Sequence, residues 1–170
     1  QEDVMPPIAV AAPGGNLTCT IQSLSLSGTG SSTGSNMAYQ WTASNGGTIL
    51  SGANTLSPVV GSTGTYTLTV INNTNGCESN TSTDVGSNTV LPIAAIASPQ
   101  TLTCVQTTVV LDGSGSSQGA SYQANWATSG GNIVSGQGTY MPTVNEPGNY
   151  LLTVTNTDNG CEQTAQILVQ

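Results

Sequence analysis

The sequence predicts an all-β protein made of two tandem β-sandwich domains of about seven strands each. Apolar and polar residues alternate in short runs, and these runs are separated by turns rich in Gly and Asn. The phrase GTYTLTVINNTNGCE at 64–78 also recurs as GNYLLTVTNTDNGCE at 148–162. A chain of 170 residues could form one domain or two, and the repeat decides for two, predicted at residues 1–87 and 88–170.

The two repeats match element by element. Each opens with a proline-bounded apolar segment (7–13 and 92–99), followed by an LTC motif and a turn rich in Gly and Ser. A tryptophan-containing strand, a Gly-Gly turn, a tyrosine-containing strand and an Asn-Gly hairpin then follow in the same order. The offset is 85 residues up to the tryptophan and 84 after it, which places a one-residue deletion near Ser129 in a predicted turn. Loops absorb such changes.

The long strands predict which aromatic residues form the core. Tyr66, Leu68 and Val70 share one face of their strand, and the threonines between them face the other way. The tryptophans also stand at inward positions of alternating strands, which favours core packing over an exposed sugar-stacking platform; only Tyr140 is expected to be an exposed aromatic. The predicted core aromatics are Trp41, Tyr66, Trp126 and Tyr150. A central tryptophan with a late tyrosine is typical of a sandwich of immunoglobulin type.

The composition excludes several classes of function. The chain has eight acidic residues and no Lys, Arg or His, giving a net charge of −8. Binding to nucleic acid or to an anionic membrane surface requires cations, so neither partner is expected. Enzymatic chemistry is not expected either, because the chain has no His or Lys base and no cation for an oxyanion. No apolar run is long enough to predict insertion into a membrane.

Short motifs also carry a family resemblance. LDGSGSS at 111–117, YQW at 39–41 and GTYTLTV at 64–70 together resemble the PKD-like and Ig-like repeats of large bacterial surface proteins. The added LTC and NGC cysteines are similar to those of Bacteroidetes-type adhesins and secreted multidomain proteins. One departure is the turn after each tryptophan, WTASNGG and WATSGG, which lacks the acidic residue of a WDFGDG-like turn. The resemblance implies a cell-surface or secreted protein.

Each repeat contains two cysteines, Cys19 with Cys77 and Cys104 with Cys161, which are 58 and 57 residues apart. Without a CxxC motif or a histidine they predict disulfides in an oxidising compartment, and hence an exported protein. A bridge within each repeat is expected. In an ideal sandwich, however, the two residues lie at opposite ends, so either the LTC segment folds back beside the last strand or some bridges run between chains.

The acidic residues offer a weak metal site. Asp112, Asp158 and Glu162 stand near predicted turns of the second repeat, and calcium selects oxygen ligands. The first repeat has Ser27 and Thr74 where the two aspartates stand, so scattered solvated acids are the favoured interpretation. No other cofactor is predicted.

These features predict a non-enzymatic extracellular structural protein. Two sandwiches joined by the short linker at 87–91 would make a rod, which suits a stalk or a fibre subunit, with adhesion as an added role. The expected partners are further copies of itself or neighbouring repeats of a longer chain; the sequence specifies no host or polysaccharide ligand. The alternative is a carbohydrate-binding or spacer module of a secreted multidomain hydrolase, which would show rows of exposed aromatics.

Overall fold

The computed structural model describes residues 4–170, and this range contains strands and turns without any helix. The all-β prediction is therefore confirmed. In the same range no helix is available that could span a membrane. The chain divides into two compact units, unit 1 at Gln1–Asn88 and unit 2 at Thr89–Gln170. Each unit contains two sheets that enclose its own apolar core.

Unit 1 has seven strands among its described residues. They are β1 (Asn16–Thr18), β2 (Leu24–Ser25), β3 (Met37–Ser44), β4 (Ile49–Ser51), β5 (Val59–Val60), β6 (Gly64–Asn72) and β7 (Glu78–Asn88). One sheet has the order β1-β7-β6-β3 and the other the order β2-β5-β4. Apart from the parallel pairing of β1 with β7, the ladders are antiparallel. This division of strands corresponds to the two sheets of an immunoglobulin sandwich.

Unit 2 repeats this arrangement with six strands, all of them in the described range. They are β8 (Val109–Val110), β9 (Tyr122–Ser129), β10 (Ile133–Ser135), β11 (Thr143–Val144), β12 (Gly148–Asn156) and β13 (Cys161–Val169). The sheets are β13-β12-β9 and β10-β11-β8. Among its described residues unit 2 has no counterpart of β1, because the segment around Leu102 makes only one backbone hydrogen bond to the end of the last strand, donated by Leu102 N to Gln170 O at 3.0 Å. The corresponding segment of unit 1 aligns three residues with β7.

Alternation along the long strands explains the two cores. Tyr66, Leu68 and Val70 of β6 are completely buried, while the residues between them face outward or are half-buried. Burying an apolar side chain contributes about 1.5–3 kcal/mol, so one face of each central strand supplies much of the stability of a unit. The same face of β12 and the tryptophan of each unit complete the cores, with Trp41, Trp126, Tyr150, Leu152 and Val154 all buried.

The buried tyrosines also fix the turns through their hydroxyl groups. The Tyr66 hydroxyl donates to Ser62 O at 2.6 Å and accepts from Thr48 N at 3.0 Å. In unit 2 the Tyr150 hydroxyl donates to Glu146 O at 2.6 Å and accepts from Asn132 N at 3.0 Å. A tyrosine that bonds to the backbone four residues upstream is the tyrosine corner of immunoglobulin-type sandwiches.

Serine side chains attach the opening segment of each repeat. Ser31 Oγ accepts from Val10 N at 2.9 Å and donates to Val10 O at 3.1 Å. Ser116 Oγ makes the same pair of bonds with Ala95 N and O, both at 3.0 Å. The hydroxyl of one serine thus bonds both the N–H and the C=O of a residue that lies outside the strands. The repeated Ser-Ser of the sequence therefore has a structural role.

A close backbone approach beneath the tyrosine corner predicts a sensitive glycine. A Cβ atom at Gly148 would lie 2.5 Å from Gly131 N, so the two backbones would have to separate. We expect Gly148→Ala to lower the free energy of unfolding of unit 2 by about 1–3 kcal/mol in urea unfolding followed by tryptophan fluorescence. Gly138→Ala is the matched control, because a Cβ there meets nothing within 4 Å. Equal midpoints for the two variants would contradict the tight crossing.

Candidate functional site

The two cysteines of unit 1 lie at opposite ends of β7. Cys77 directly precedes β7, and its Sγ lies 3.5 Å from Val4 O. Cys19 directly follows β1, whose last residue, Thr18, is in register with Asn88 at the other end of β7. Eleven residues of strand at about 3.3 Å each put roughly 35 Å between these ends. Bridged cysteines need Cα atoms within about 7 Å, so this unit cannot close its own bridge.

Unit 2 separates its cysteines in the same way. Cys161 is the first residue of β13, and Gln170, just beyond the other end of that strand, accepts the hydrogen bond from Leu102 N. Cys104 follows Leu102 by two residues. A strand of nine residues spans roughly 30 Å, so a bridge between Cys104 and Cys161 is excluded as well.

The predicted bridges within each repeat are therefore wrong. In the described part of the chain Cys77 and Cys104 are free thiols, whereas Cys19 and Cys161 are disulfide-bonded. The physical reason is the length of the last strand, because the NGC motif stands at its start and the LTC motif beside its end. Exposure does not separate the two states: of the bonded cysteines Cys161 is completely buried and Cys19 is exposed, and of the free cysteines Cys77 is half-buried and Cys104 is exposed.

The turn around each free thiol shares hydrogen bonds with the turn around its bonded counterpart in the other repeat. Cys104 lies in a turn where Thr103 N donates to Gln106 O at 2.9 Å. Cys19 lies in the equivalent turn, where Thr18 N donates to Ile21 O at 2.9 Å. The amides of Cys77 and Cys161 both donate to the asparagine side chain two residues earlier, at 2.9 Å. The two LTC turns are alike, and so are the two NGC turns.

Asn75 and Asn159 hold each NGC turn to the opening segment of its own unit. Asn75 Nδ2 donates to Met5 O at 3.2 Å, and Asn159 Nδ2 donates to Val90 O at 3.0 Å. Sequence analysis did not identify this role. The signal for it is the Asn-Gly-Cys order in both copies, which by itself indicates only a hairpin turn.

The structure does not gather the candidate calcium ligands. In residues 4–170 no group of three or more His, Cys, Asp or Glu side chains could hold a metal ion, so Asp112, Asp158 and Glu162 do not form a site together. Asp112 Oδ1 accepts from Ser114 N at 2.9 Å, and hydrogen bonds from Ser114 lower the pKa of this exposed carboxyl. Because the folded pKa is depressed, this contribution to stability is lost as the pH falls through it. Glu162 Oε1 bonds the hydroxyl of Thr155 at 3.1 Å.

The aromatic residues are placed as structural groups. Both tryptophans are buried, and their Nε1 atoms donate to backbone carbonyls, Trp41 to Thr55 O at 3.0 Å and Trp126 to Thr139 O at 2.9 Å. Tyr140, which we had expected to be exposed, is half-buried and donates its hydroxyl to Ser117 O at 2.6 Å. Burial, and after it the nearby Tyr122, raises the pKa of Tyr140.

Comparison with known proteins identifies the fold. No protein-family model matches the chain, and no curated protein matches it. The eight N-terminal Ig domains of Down Syndrome Cell Adhesion Molecule are similar in structure, with a TM-score of 0.53 and 14% identity over 97% of this chain and 27% of that chain. The I67–I69 fragment of the titin I-band is also similar, with a TM-score of 0.47 and 12% identity over 98% of this chain and 66% of that chain. The three N-terminal domains of the outer capsid protein Hoc of bacteriophage RB49 give a TM-score of 0.43 and 16% identity over 97% of this chain and 58% of that chain.

The chain spans about a quarter of the length of the adhesion-molecule structure. At this level of identity the likeness concerns the fold alone. It confirms the tandem Ig-like β-sandwich fold that the sequence predicts.

Proposed function

We propose that the protein is a non-enzymatic extracellular structural protein, a rod-like stalk or fibre subunit of a bacterial surface with adhesion as an added role. The observation that carries the proposal is the contrast between the cores and the surface. Both tryptophans and the tyrosines Tyr66 and Tyr150 are buried, and the exterior consists mainly of neutral Ser, Thr, Asn and Gln without one cation. A surface of this kind offers shape and self-association rather than chemistry.

The oxidised cysteines support an extracellular location. Cys19 and Cys161 are disulfide-bonded, and disulfides persist in oxidising compartments outside the cytosol. The two repeats also resemble those of bacterial surface proteins in the motifs described above. One structural neighbour is, by its name, a cell adhesion molecule.

Exposed apolar residues support self-association. Val4 and Met5, beside Cys77, are 72% and 76% exposed, and Val105, beside Cys104, is 95% exposed. Apolar surface next to such weakly charged surroundings favours contact with another protein surface, because long-range repulsion is small. Lysines usually protect sheet edges from pairing, and this chain has none.

A shallow depression on unit 2 favours the alternative function, a carbohydrate-binding or spacer module of a secreted hydrolase. Tyr122 and Tyr140 line it together with the amide side chains of Gln123 and Asn125. Aromatic faces and amides are groups that bind sugars. Unit 1 has Met37 and Leu56 at the positions of the two tyrosines, so only unit 2 would bind.

Sedimentation velocity of the Cys77→Ser/Cys104→Ser double variant at increasing concentration tests the structural proposal without oxidation of the free thiols and without a reductant that would cleave the disulfides of Cys19 and Cys161. We expect larger species to grow with concentration in the absence of any polysaccharide. A protein that stays monomeric at high concentration but binds a soluble polysaccharide, with binding lost in Tyr122→Ala, would favour the alternative module instead.

A further inference from the structure

We propose that Cys77 of one chain and Cys104 of a second copy form a disulfide, which links copies of the protein in series. The inference rests on the proposed function as a structural subunit and deepens it by naming the partner and the bond. It begins from the geometry of each unit. Because the last strand separates the LTC and NGC cysteines by roughly 30 Å or more, neither free thiol can pair within its own unit.

The internal repeat supplies an independent observation. Cys104 is the counterpart of Cys19, and Cys77 is the counterpart of Cys161. Both counterparts are disulfide-bonded. One cysteine of each motif is thus oxidised in this chain, and one cysteine of each motif remains a thiol. A second copy carries the same two thiols, so the LTC thiol of one chain can pair with the NGC thiol of another.

The turns that carry the free thiols share hydrogen bonds with the turns that carry the bonded cysteines. In the LTC turns, Thr18 Oγ1 accepts from Ile21 N at 3.0 Å and Thr103 Oγ1 accepts from Gln106 N at 2.9 Å. The NGC turns share the bond from the cysteine amide to the preceding asparagine. Both free thiols therefore stand in preformed turns, and this preorganisation lowers the cost of association.

The surroundings of the thiols suit a second copy of this chain. Val105 next to Cys104 is almost completely exposed, and Val4 and Met5 beside Cys77 are largely exposed. These residues are apolar, so docking the Cys104 region of one copy against the Cys77 region of another would remove apolar surface from water. Glu78 is the one charged residue adjacent in sequence to either thiol, and charge repulsion across the contact is correspondingly small.

The bond forms by thiol–disulfide exchange with a disulfide oxidant of the extracellular compartment. The thiolate of one cysteine attacks the oxidant and releases one thiol of it; the second cysteine then attacks this mixed disulfide and releases the other. The two protein thiols lose two electrons and two protons in total, and the oxidant is reduced to two thiols.

Complementary single variants test the proposal in the full chain. Cys77→Ser retains the Cys104 thiol and Cys104→Ser retains the Cys77 thiol, and both keep Cys19 and Cys161. Each is oxidised with glutathione disulfide, alone and as an equimolar mixture, and analysed by electrophoresis in SDS without reductant. We expect the unsubstituted protein to give a ladder of covalent oligomers that reductant converts to monomer. Each variant alone should stay monomeric, and the mixture of the two should give a dimer and nothing larger.

A mixture that stays monomeric would overturn the inference, as would either variant dimerising alone as readily as the mixture does. Trypsin has no site in this chain, so the dimer is digested with a glutamate-specific protease and chymotrypsin. Peptide mapping of the digest should recover Cys77 linked to Cys104. Filaments that dissolve to monomers in SDS without reductant would overturn the disulfide and leave the proposed function standing. A protein that neither associates nor cross-links would overturn both.

Discussion

Replacing Trp126 by alanine is expected to lower the free energy of unfolding of unit 2 by about 3–5 kcal/mol. The side chain is completely buried against the apolar face of β12, and its Nε1 donates to Thr139 O at 2.9 Å. The substitution leaves a cavity and removes the partner of a carbonyl. A small domain is stabilised by only about 5–15 kcal/mol, so much of the stability of unit 2 would be lost.

Amide hydrogen exchange measures this effect separately for each unit. In Trp126→Ala we expect the protected amides of β12 to exchange much faster, while those of β6 serve as an internal reference. Leu168→Ala is the control, because this side chain lies on the neighbouring strand β13 but is 52% exposed. If both variants lost the same protection, Trp126 would not be the centre of the core.

Replacing Asn159 by alanine is expected to lower the free energy of unfolding of unit 2 by about 1–3 kcal/mol. The Asn159 side chain is 2% exposed, accepts from Cys161 N at 2.9 Å and donates to Val90 O at 3.0 Å. An unsatisfied buried polar group costs about 1–3 kcal/mol. The change removes the partner of Cys161 N, in a completely buried residue, whereas Val90 is 70% exposed.

The internal repeat provides the control for this prediction. Asn75 makes equivalent bonds to Cys77 N and Met5 O but is half-buried, so water can replace its side chain. Asn75→Ala should therefore destabilise unit 1 by clearly less than Asn159→Ala destabilises unit 2, as measured by urea unfolding of the two variants side by side. Equal losses would show that burial does not determine the strength of this turn.

The fold was largely predictable because strand periodicity is a local property. Tyr66, Leu68 and Val70 alternate with threonines, and a period of two can place them only on one face of a strand. The repeat then fixed the number of units, and the tryptophan with the late tyrosine indicated the type of sandwich. The absence of a counterpart of β1 from the described residues of unit 2 was harder to predict, because it depends on a few backbone hydrogen bonds of a short segment. The segment around Leu102 makes one such bond, to Gln170, and therefore does not form a strand.

The disulfides were mispredicted because separation along the chain carries no information about direction in space. Cys19 and Cys77 fall within one repeat, yet the intervening chain returns so that they stand at opposite ends of β7. The sequence did contain a signal, because the NGC motif opens the last strand of each repeat and an ideal sandwich places the LTC motif at the opposite end. Two cysteines placed in this way cannot form a bridge. The candidate calcium ligands failed for a related reason, because nearness to turns does not bring side chains together.

Electron microscopy of the purified native protein tests the central claim most directly. A structural subunit with a neutral exterior and complementary free thiols should appear as filaments whose axial repeat corresponds to one two-domain chain. Dispersed single particles at high concentration, under oxidising conditions that leave Cys77 and Cys104 as free thiols, would contradict the account.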